Sequence, residues 1–460
     1  MFKCERMNEL KKFRYLPHTE EDREKMLNTI GVKSVDELYE DVPKAVRTQE
    51  RMDLPKELSE FELLKHAREL ASKNTNATQM PYFIGAGTYD HYIPSIVQAI
   101  ISRQEFLTAY VPYQPEISQG ELQALFEWQS MIAELTQMEV ANCGMYDGYN
   151  AIAEAANLAI SSVRKSSKIL ISQGVNPQGI DVLNTYGFGK EYEVNKIPLA
   201  NDVTDIEKLK EQLDDSVAAV IIQYPNFLGS IEDLKEIKAA MSDTKALLIV
   251  SANPLALGVL EAPGNLGADI VVGDVQPFGI PMSYGGPHCG YFATTKKLMR
   301  KIPSRIVGQT KDENGERGFV MTLATREQHI RREKATSNYS SNQALYALAS
   351  AIAISALGRE GIVEMAKQNI NKAHYLKDQL EAQGFKVFNQ SPFFNEFVIQ
   401  LDQPVKEVNL ALHQVGFVGG YDATRSTGIE NTYLLCATEK RSKSEIDAFV
   451  SSLVEVTRHA

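Results

Sequence analysis

Short apolar runs alternate with longer amphipathic segments through the middle of the chain. Residues 168–172, 218–223, 246–250 and 268–272 are continuous, β-branched-rich runs of strand length. Helical periodicity fills the intervals at 151–163, 205–213 and 231–241. Strand and helix in alternation require crossover connections, and so predict a mostly parallel sheet covered on both faces. Beyond residue 340 the rhythm changes. Helices are predicted at 341–357, 362–382, 405–415 and 443–453, with strands at 386–388, 396–400 and 432–437, a pattern that suits a smaller α+β domain.

The amino-terminal part reads as an arm. A helix over 19–30 opens on Thr19-Glu-Glu-Asp22, close to a capping box, and ends at Gly31; a shorter helical piece starts at Asp36 and is limited by Pro43. Ser59-Glu-Phe-Glu62 is a second capping box, leading a helix whose apolar face carries Leu63, Leu64, Ala67 and Leu70. The arm covers its own domain or wraps a partner. The division predicted is an arm at 1–60, a large α/β domain at 61–335 and a small α+β domain at 336–460.

Three loops have the character of a site. Residues 110–120, Tyr-Val-Pro-Tyr-Gln-Pro-Glu-Ile-Ser-Gln-Gly, are stiffened by two prolines, and Ser118 is placed to cap a helix over 121–136. Residues 141–150 turn at Gly144 and Gly148 straight into an Ala-rich helix, whose free N–H groups form an anion cradle. The third loop follows the strand ending near Val272. It is set by Pro277, Gly279, Pro281, Gly285, Gly286 and Pro287 before an apolar segment returns at 289–293. In a parallel sheet, ligands gather at the carboxyl ends of strands, where this loop lies. It contains no lysine and no metal cluster, so it has the shape of a site and little chemistry. Gly85-Ala-Gly87 lacks the third glycine of a dinucleotide fingerprint, since Asp90 stands there.

Composition narrows the picture. A formal net charge of −11 over 460 residues argues against a nucleic-acid partner. No apolar run is expected to span a bilayer, and no signal-peptide core is read at the start of the sequence. The four cysteines, Cys4, Cys143, Cys289 and Cys436, form no CxxC pair, which points away from zinc and disulfides and toward a cytoplasmic setting.

The order of these loops resembles fold type I pyridoxal-phosphate enzymes, a large mostly parallel sheet domain followed by a small carboxy-terminal one. More narrowly, Pro112-Tyr-Gln-Pro-Glu-Ile-Ser-Gln-Gly120, Gln276-Pro-Phe-Gly-Ile-Pro281, Tyr284-Gly-Gly-Pro-His288 and the charged stretch Thr325 to Asn338 are similar to the P-protein of the glycine cleavage system, from about Phe13 onward. The likeness is to the first of its two related halves. It implies a complex that decarboxylates glycine with pyridoxal phosphate held by subunit 2, and passes the aminomethyl group to the lipoyl arm of H-protein. The implied assembly is a heterotetramer of two copies of each subunit, with no metal.

Such chemistry needs a lysine for the Schiff base and a carboxylate on the pyridine nitrogen. In the catalytic half the resemblance implies a lysine that follows a histidine on this loop; the matching positions here are Gln276 and Pro277, neither of which can form an imine, and the acid's place is taken by Ser251-Ala-Asn253. Lys245 precedes its strand, and Lys296 and Lys297 are read as starting a surface helix. Tyr149 is placed in the space vacated by a phosphate. The expectation is therefore no covalent cofactor on this chain and no catalytic residue in cis. The spacing Gln328, Thr336, Asn338 resembles the element that presents a threonine to the cofactor phosphate of a neighbouring subunit, so Thr336, Ser337 and Asn338 are the expected contacts. The alternative is an interdomain salt-bridge network over 326–338. His91, Tyr110, Tyr113, Gln114, Glu116 and Gln328 are expected to line the shared cleft. Two other readings stay open: a pyridoxal enzyme with an unrecognised lysine, and a diverged non-catalytic binding protein.

Overall fold

The computed structural model describes residues 17–47, 53–109, 112, 114–339 and 343–458; Tyr110 and Tyr113 therefore lie outside the described residues. The chain divides into two units, residues 1–74 and 75–460. In the first, α1 (Glu20–Ile30) is closed by the Thr19/Asp22 capping box and by Gly31 in the left-handed region at φ +89°. The second helix, α2 (Glu60–Ala71), carries the Ser59/Glu62 box. No residue of either helix is buried.

The larger unit is built on a seven-stranded sheet. Its strands are β1 (Val140–Ala141), β2 (Lys168–Ser172), β3 (Glu193–Ile197), β4 (Val217–Tyr224), β5 (Leu247–Ala252), β6 (Ile270–Asp274) and β7 (Gly290–Thr294). They lie in the order β1-β7-β6-β5-β4-β2-β3. All pairings from β3 through β6 are parallel, whereas β7 returns antiparallel to β6 and to β1. The segment joining β6 to β7 holds no long helix, so the chain reverses there instead of crossing over.

Alternate residues of each strand feed opposite faces. Leu170, Val220, Ile222, Leu248 and Val250 pack with Leu122, Leu125, Trp128 and Ile132 of α3 (Gln119–Thr136). On the other face Ile169, Ile171, Ile221 and Ile249 meet the alanines of α4 (Gly148–Ser162) and Ile180 and Leu183 of α5 (Pro177–Lys190). Ser118 is not the predicted cap. Its φ/ψ of −122°/22° is not the extended conformation of a capping residue, and its side chain makes no cap hydrogen bond. Gln119 instead clamps a hairpin, Ile306–Lys311 with Arg317–Thr322, donating to the Phe319 carbonyl and accepting from its N–H, both at 2.8 Å. Lys296 and Lys297 start no helix; they lie in a turn that leads to the short 3-10 segment Met299–Lys301.

The long helix α6 (Ala344–Ala382) merges two predicted helices across a break at Gly358, where φ is +61°. By length and composition alone α6 could cross a membrane, contrary to the expectation that no run approaches that length. The break at Gly358 interrupts it, and Ala347, Ala351, Ala353 and Ile354 are buried in the core, as in the central helix of a globular fold. The carboxy-terminal sheet, β8 (Lys386–Val387), β9 (Glu396–Gln400), β10 (Tyr421–Asp422) and β11 (Thr432–Cys436), is antiparallel in the order β8-β9-β11-β10. Phe83 is buried beneath it, stacked on Phe449 at 4.0 Å, and its backbone bonds Val418 and Cys436. Residues 81–89 are thus tied to the carboxy-terminal sheet before they reach the cleft described next.

Candidate functional site

The carboxyl ends of the parallel strands open into a cleft of about 670 Å³. Gln223 comes from β4, Ser251 and Ala252 from β5, Gly273 and Asp274 from β6, and Asn176 from the turn after β2. This is where an open parallel sheet places ligands. Pro277, Gly285, Gly286, Pro287 and His288 complete one wall, so the predicted site loop does line it. No lysine or arginine lines the cleft among the described residues.

The anion cradle at the start of α4 is closed by the chain itself. Asp147 is the N-cap: its Oδ1 accepts from the Asn150 N–H at 2.8 Å and its Oδ2 from the Asn150 amide at 2.8 Å. Asp274 Oδ2 accepts from the Gly148 N–H at 3.1 Å, while Oδ1 accepts from the Gln276 N–H at 2.9 Å. The approach is close because Gly148 and Gly273 lack side chains; a Cβ on Gly148 would lie 3.1 Å from the Gly273 carbonyl carbon. A helix N-terminus favours negative charge, and here two carboxylates supply it. Tyr149, in the first turn of the helix, turns its side chain to the cleft. Its ring lies against Gly179, its hydroxyl accepts from Asn176 Nδ2 at 2.8 Å, and it forms part of the cleft wall.

Asp274 also holds His288, Nδ1 to Oδ2 at 3.0 Å, and His288 Nε2 lies 3.2 Å from Thr88 Oγ1. Burial lowers the imidazole's proton affinity, but the hydrogen bond and charge of Asp274, with Asp147 behind it, outweigh that and leave the pKa raised. The loop read as nearly devoid of chemistry therefore carries an acid–imidazole pair. The signal available in the sequence was an acid ending an apolar strand and a histidine one residue before the next one.

On the opposite wall Glu396, from β9, accepts from the Ala86 N–H at 2.6 Å and from the Tyr89 hydroxyl at 2.9 Å. Burial outweighs these two hydrogen bonds and pushes its pKa up to about 7. The folded state then holds a proton that the unfolded chain releases at lower pH. Its stabilisation is complete below the unfolded value near 4.5 and is lost as pH rises through about 7. Glu396→Gln keeps an acceptor for Ala86 and carries no charge. The variant is expected to flatten the fall in stability between pH 5 and 8 by on the order of 2–3 kcal/mol. Urea unfolding of both proteins across that range checks it; parallel pH profiles would refute it.

None of the seven described site candidates lines this cleft. His91 is a correction to expectation: it is 5% exposed, and Nδ1 meets Glu439 Oε2 at 2.8 Å. Glu439 also accepts from Asn369 Nδ2 at 2.8 Å and from the Tyr92 N–H, and its pKa falls to about 2; burial opposes that fall, and His91 leads the groups that produce it. His91 thus fastens residues 89–92 to the carboxy-terminal segment. Gln114 and Glu116 are exposed in the turn before α3, and Gln328 and Asn338 are exposed together on another face. Thr336 and Ser337 are half-buried at a small recess with Lys301, Ser304, Arg326 and Tyr339. Arg326 donates Nη1 to the Ile302 carbonyl, but its buried Nε and Nη2 have no hydrogen-bond partner among the described residues.

A large parallel sheet with its cleft at the strand ends, followed by a small antiparallel domain, is the fold of the type I pyridoxal-phosphate enzymes. A NifS-like protein shares it with a TM-score of 0.62 at 13% identity, over 83% of this chain and 100% of that one. A model of the family described as "Glycine cleavage system P-protein" matches residues 13–453, and the chain belongs to that family. Relatives named "Probable glycine dehydrogenase (decarboxylating) subunit 1" are similar over nearly their whole length. That of Listeria monocytogenes serotype 4b (strain CLIP80459) is 56% identical, covering 96% of this chain and 99% of the relative. That of Bacillus mycoides (strain KBAB4) is 57% identical over 96% and 98% respectively. A crystal structure of glycine decarboxylase (P-protein) of the glycine cleavage system, in inhibitor-bound form, superposes with a TM-score of 0.87 at 42% identity, over 96% of this chain and 100% of that one.

Proposed function

We propose that the chain serves as subunit 1 of a heteromeric glycine dehydrogenase (decarboxylating), with pyridoxal phosphate held by subunit 2 and the aminomethyl group passed to the lipoyl arm of H-protein. The observation that carries this reading is the inner cleft. Its residues do not fit that cofactor. A Schiff base needs an amine, and no lysine lines the wall among the described residues. A phosphate needs free N–H groups at the start of α4, and Asp147 and Asp274 already accept there. Neither Gln276 nor Pro277, the positions the resemblance matches to the catalytic half's histidine and lysine, can form an imine, and Gln276 is 1% exposed and occupied: it accepts from the Tyr89 N–H at 3.0 Å and donates to the Tyr89 and Ile280 carbonyls.

The contribution of this chain is then surface. Thr336, beside an Arg326 whose Nε and Nη2 find no partner among the described residues, presents a hydroxyl suited to an anion from outside the chain, while Ser337 shapes the turn by accepting from the Tyr339 N–H at 3.2 Å. Assembly with subunit 2 as a two-plus-two heterotetramer would bring that element to the partner's cofactor phosphate, with pocket wall and water exclusion as its role. The test is reconstitution. Glycine decarboxylation is expected from the mixture with subunit 2 and from neither chain alone; turnover by this chain alone would refute the reading.

Thr336→Ala should weaken pyridoxal-phosphate affinity of the assembled complex about ten- to a hundred-fold, the effect of losing one hydrogen bond to a charged group. Cofactor titration of the two complexes checks it, with gel filtration showing that both assemble. Equal affinity would leave residues 326–338 as an internal ionic network only. Glu327, held by Arg305 and close to His329, already supplies the beginnings of one.

A further inference from the structure

A cleft of about 670 Å³ that does not fit the fold's cofactor still has the size and walls of a small-molecule site. Resting on the reading above, we propose that it binds a small primary amine that carries no phosphate, with Asp274 setting that preference.

The charge inventory supports an ammonium ligand. Asp147 and Asp274 line the cleft, against His288 as the one basic side chain among its described lining residues, while Glu396, pushed up to about 7 by burial, contributes no full charge. Even with His288 protonated against Asp274, Asp147 leaves the wall negative. The carboxylates are preorganised: backbone N–H groups of Gly148, Gln276 and Asn150 fix Asp274 and Asp147. Each Asp147 oxygen accepts from Asn150 and keeps acceptor capacity for an ammonium. The walls also bring Tyr89, Tyr146, Tyr149 and Tyr421 to one cavity, and aromatic faces attract cations. The same features reject a phosphate ester. Its dianion would meet Asp274 at the helix end, where a phosphate would otherwise be favoured.

The matched pair of probes is pyridoxamine and pyridoxamine 5′-phosphate. They share ring and amine and differ by the phosphate, and neither has an aldehyde with which to label surface lysines. Calorimetric titration into the full chain without partner is expected to give saturable one-site binding of pyridoxamine, at least about tenfold tighter than its phosphate ester. Asp274→Asn should shrink that ratio to about threefold or less, with circular dichroism confirming the fold. Equal or tighter binding of the phosphate ester by the unmodified chain overturns the proposal, as does an unchanged ratio in the variant. Should the variant fail to fold, the two ligands on the unmodified chain decide. Benzylamine against benzoate separates charge from the pyridine ring, and tighter binding of benzoate also overturns it. No saturable binding of either amine sinks the amine site and leaves the cofactor on the partner; a borohydride-stable pyridoxyl group inside this cleft sinks both readings.

Discussion

Borohydride reduction of the assembled complex, loaded with pyridoxal phosphate, is expected to leave pyridoxyl label on subunit 2 and none on the cleft of this chain. The trapped bond is an imine, so label can appear only where an amine reaches the aldehyde. Neither Gln276 nor Pro277, which the resemblance sets opposite the catalytic half's histidine and lysine, offers an amine, and the Gln276 amide is engaged by Tyr89 and Ile280. Moving a phosphate to the start of α4 would also set it beside Asp147 and Asp274. Two unit charges at contact distance cost on the order of 4 kcal/mol at an effective dielectric near 20, roughly three decades of affinity. Peptide mapping after reduction gives the answer as a ratio of labelled peptides. Any stoichiometric label within residues 75–460 whose formation glycine added before reduction prevents would end the case for a cofactor-free subunit. Adding subunit 2 to this chain should raise decarboxylation by on the order of 10⁶ or more, the lower end of enzymatic acceleration, because it restores the covalent centre.

How much of the fold is legible in the sequence depends on how local the determining contacts are. The capping boxes at Thr19 and Ser59 span only four residues each, and both are present in the structure. The apolar runs of β2, β4, β5 and β6 were visible because strands buried on both faces lose polar alternation. The sheet's outer strand β3 was not, since Glu193, Asn195 and Lys196 are exposed and break the run. Helix α5 was missed for its three glycines, although Asn176 as cap and Pro177 in the first turn mark its start. Trp128 and Ile132 fall three and seven residues after Leu125, on the same buried face of α3, so helical periodicity alone marks them as core.

The cleft divides along the same line. Its position follows from strand–loop order, and the loop after β6 was placed correctly. Its chemistry depends on pairs far apart in sequence, Asp274 with Gly148 and Glu396 with Ala86. No spacing rule reaches across 126 or 310 residues. His91 misled for the same reason. A histidine in a polar loop reads as site chemistry until its carboxylate partner, 348 residues away, shows it to be a buried tie.

Gly229→Ala is expected to cost about 3–5 kcal/mol, enough to threaten a fold whose whole stability is of order 5–15 kcal/mol. Gly229 lies at φ +89°, where a side chain alone costs about 1–2 kcal/mol. Most of the cost comes from steric contact: a Cβ there would fall 1.8 Å from the Glu396 carbonyl oxygen and 2.4 Å from its carbonyl carbon. Both obstacles are backbone and cannot rotate away, so β9 must shift. The Gly229 carbonyl accepts from the Phe394 N–H at 3.2 Å, and Asn389 donates to the Leu228 carbonyl at 2.8 Å, so the two segments are clamped on both sides of the clash. Displacing β9 also pulls Glu396 from Ala86 and Tyr89, which opens the cleft wall. Gly315→Ala is the control. It has a similar φ of +82° with nothing within 4 Å of the added carbon, and should cost only about 1–2 kcal/mol. Urea midpoints for the two variants should therefore separate clearly; similar midpoints would mean that β9 yields freely and that the Gly229–Glu396 approach does not set the cleft wall.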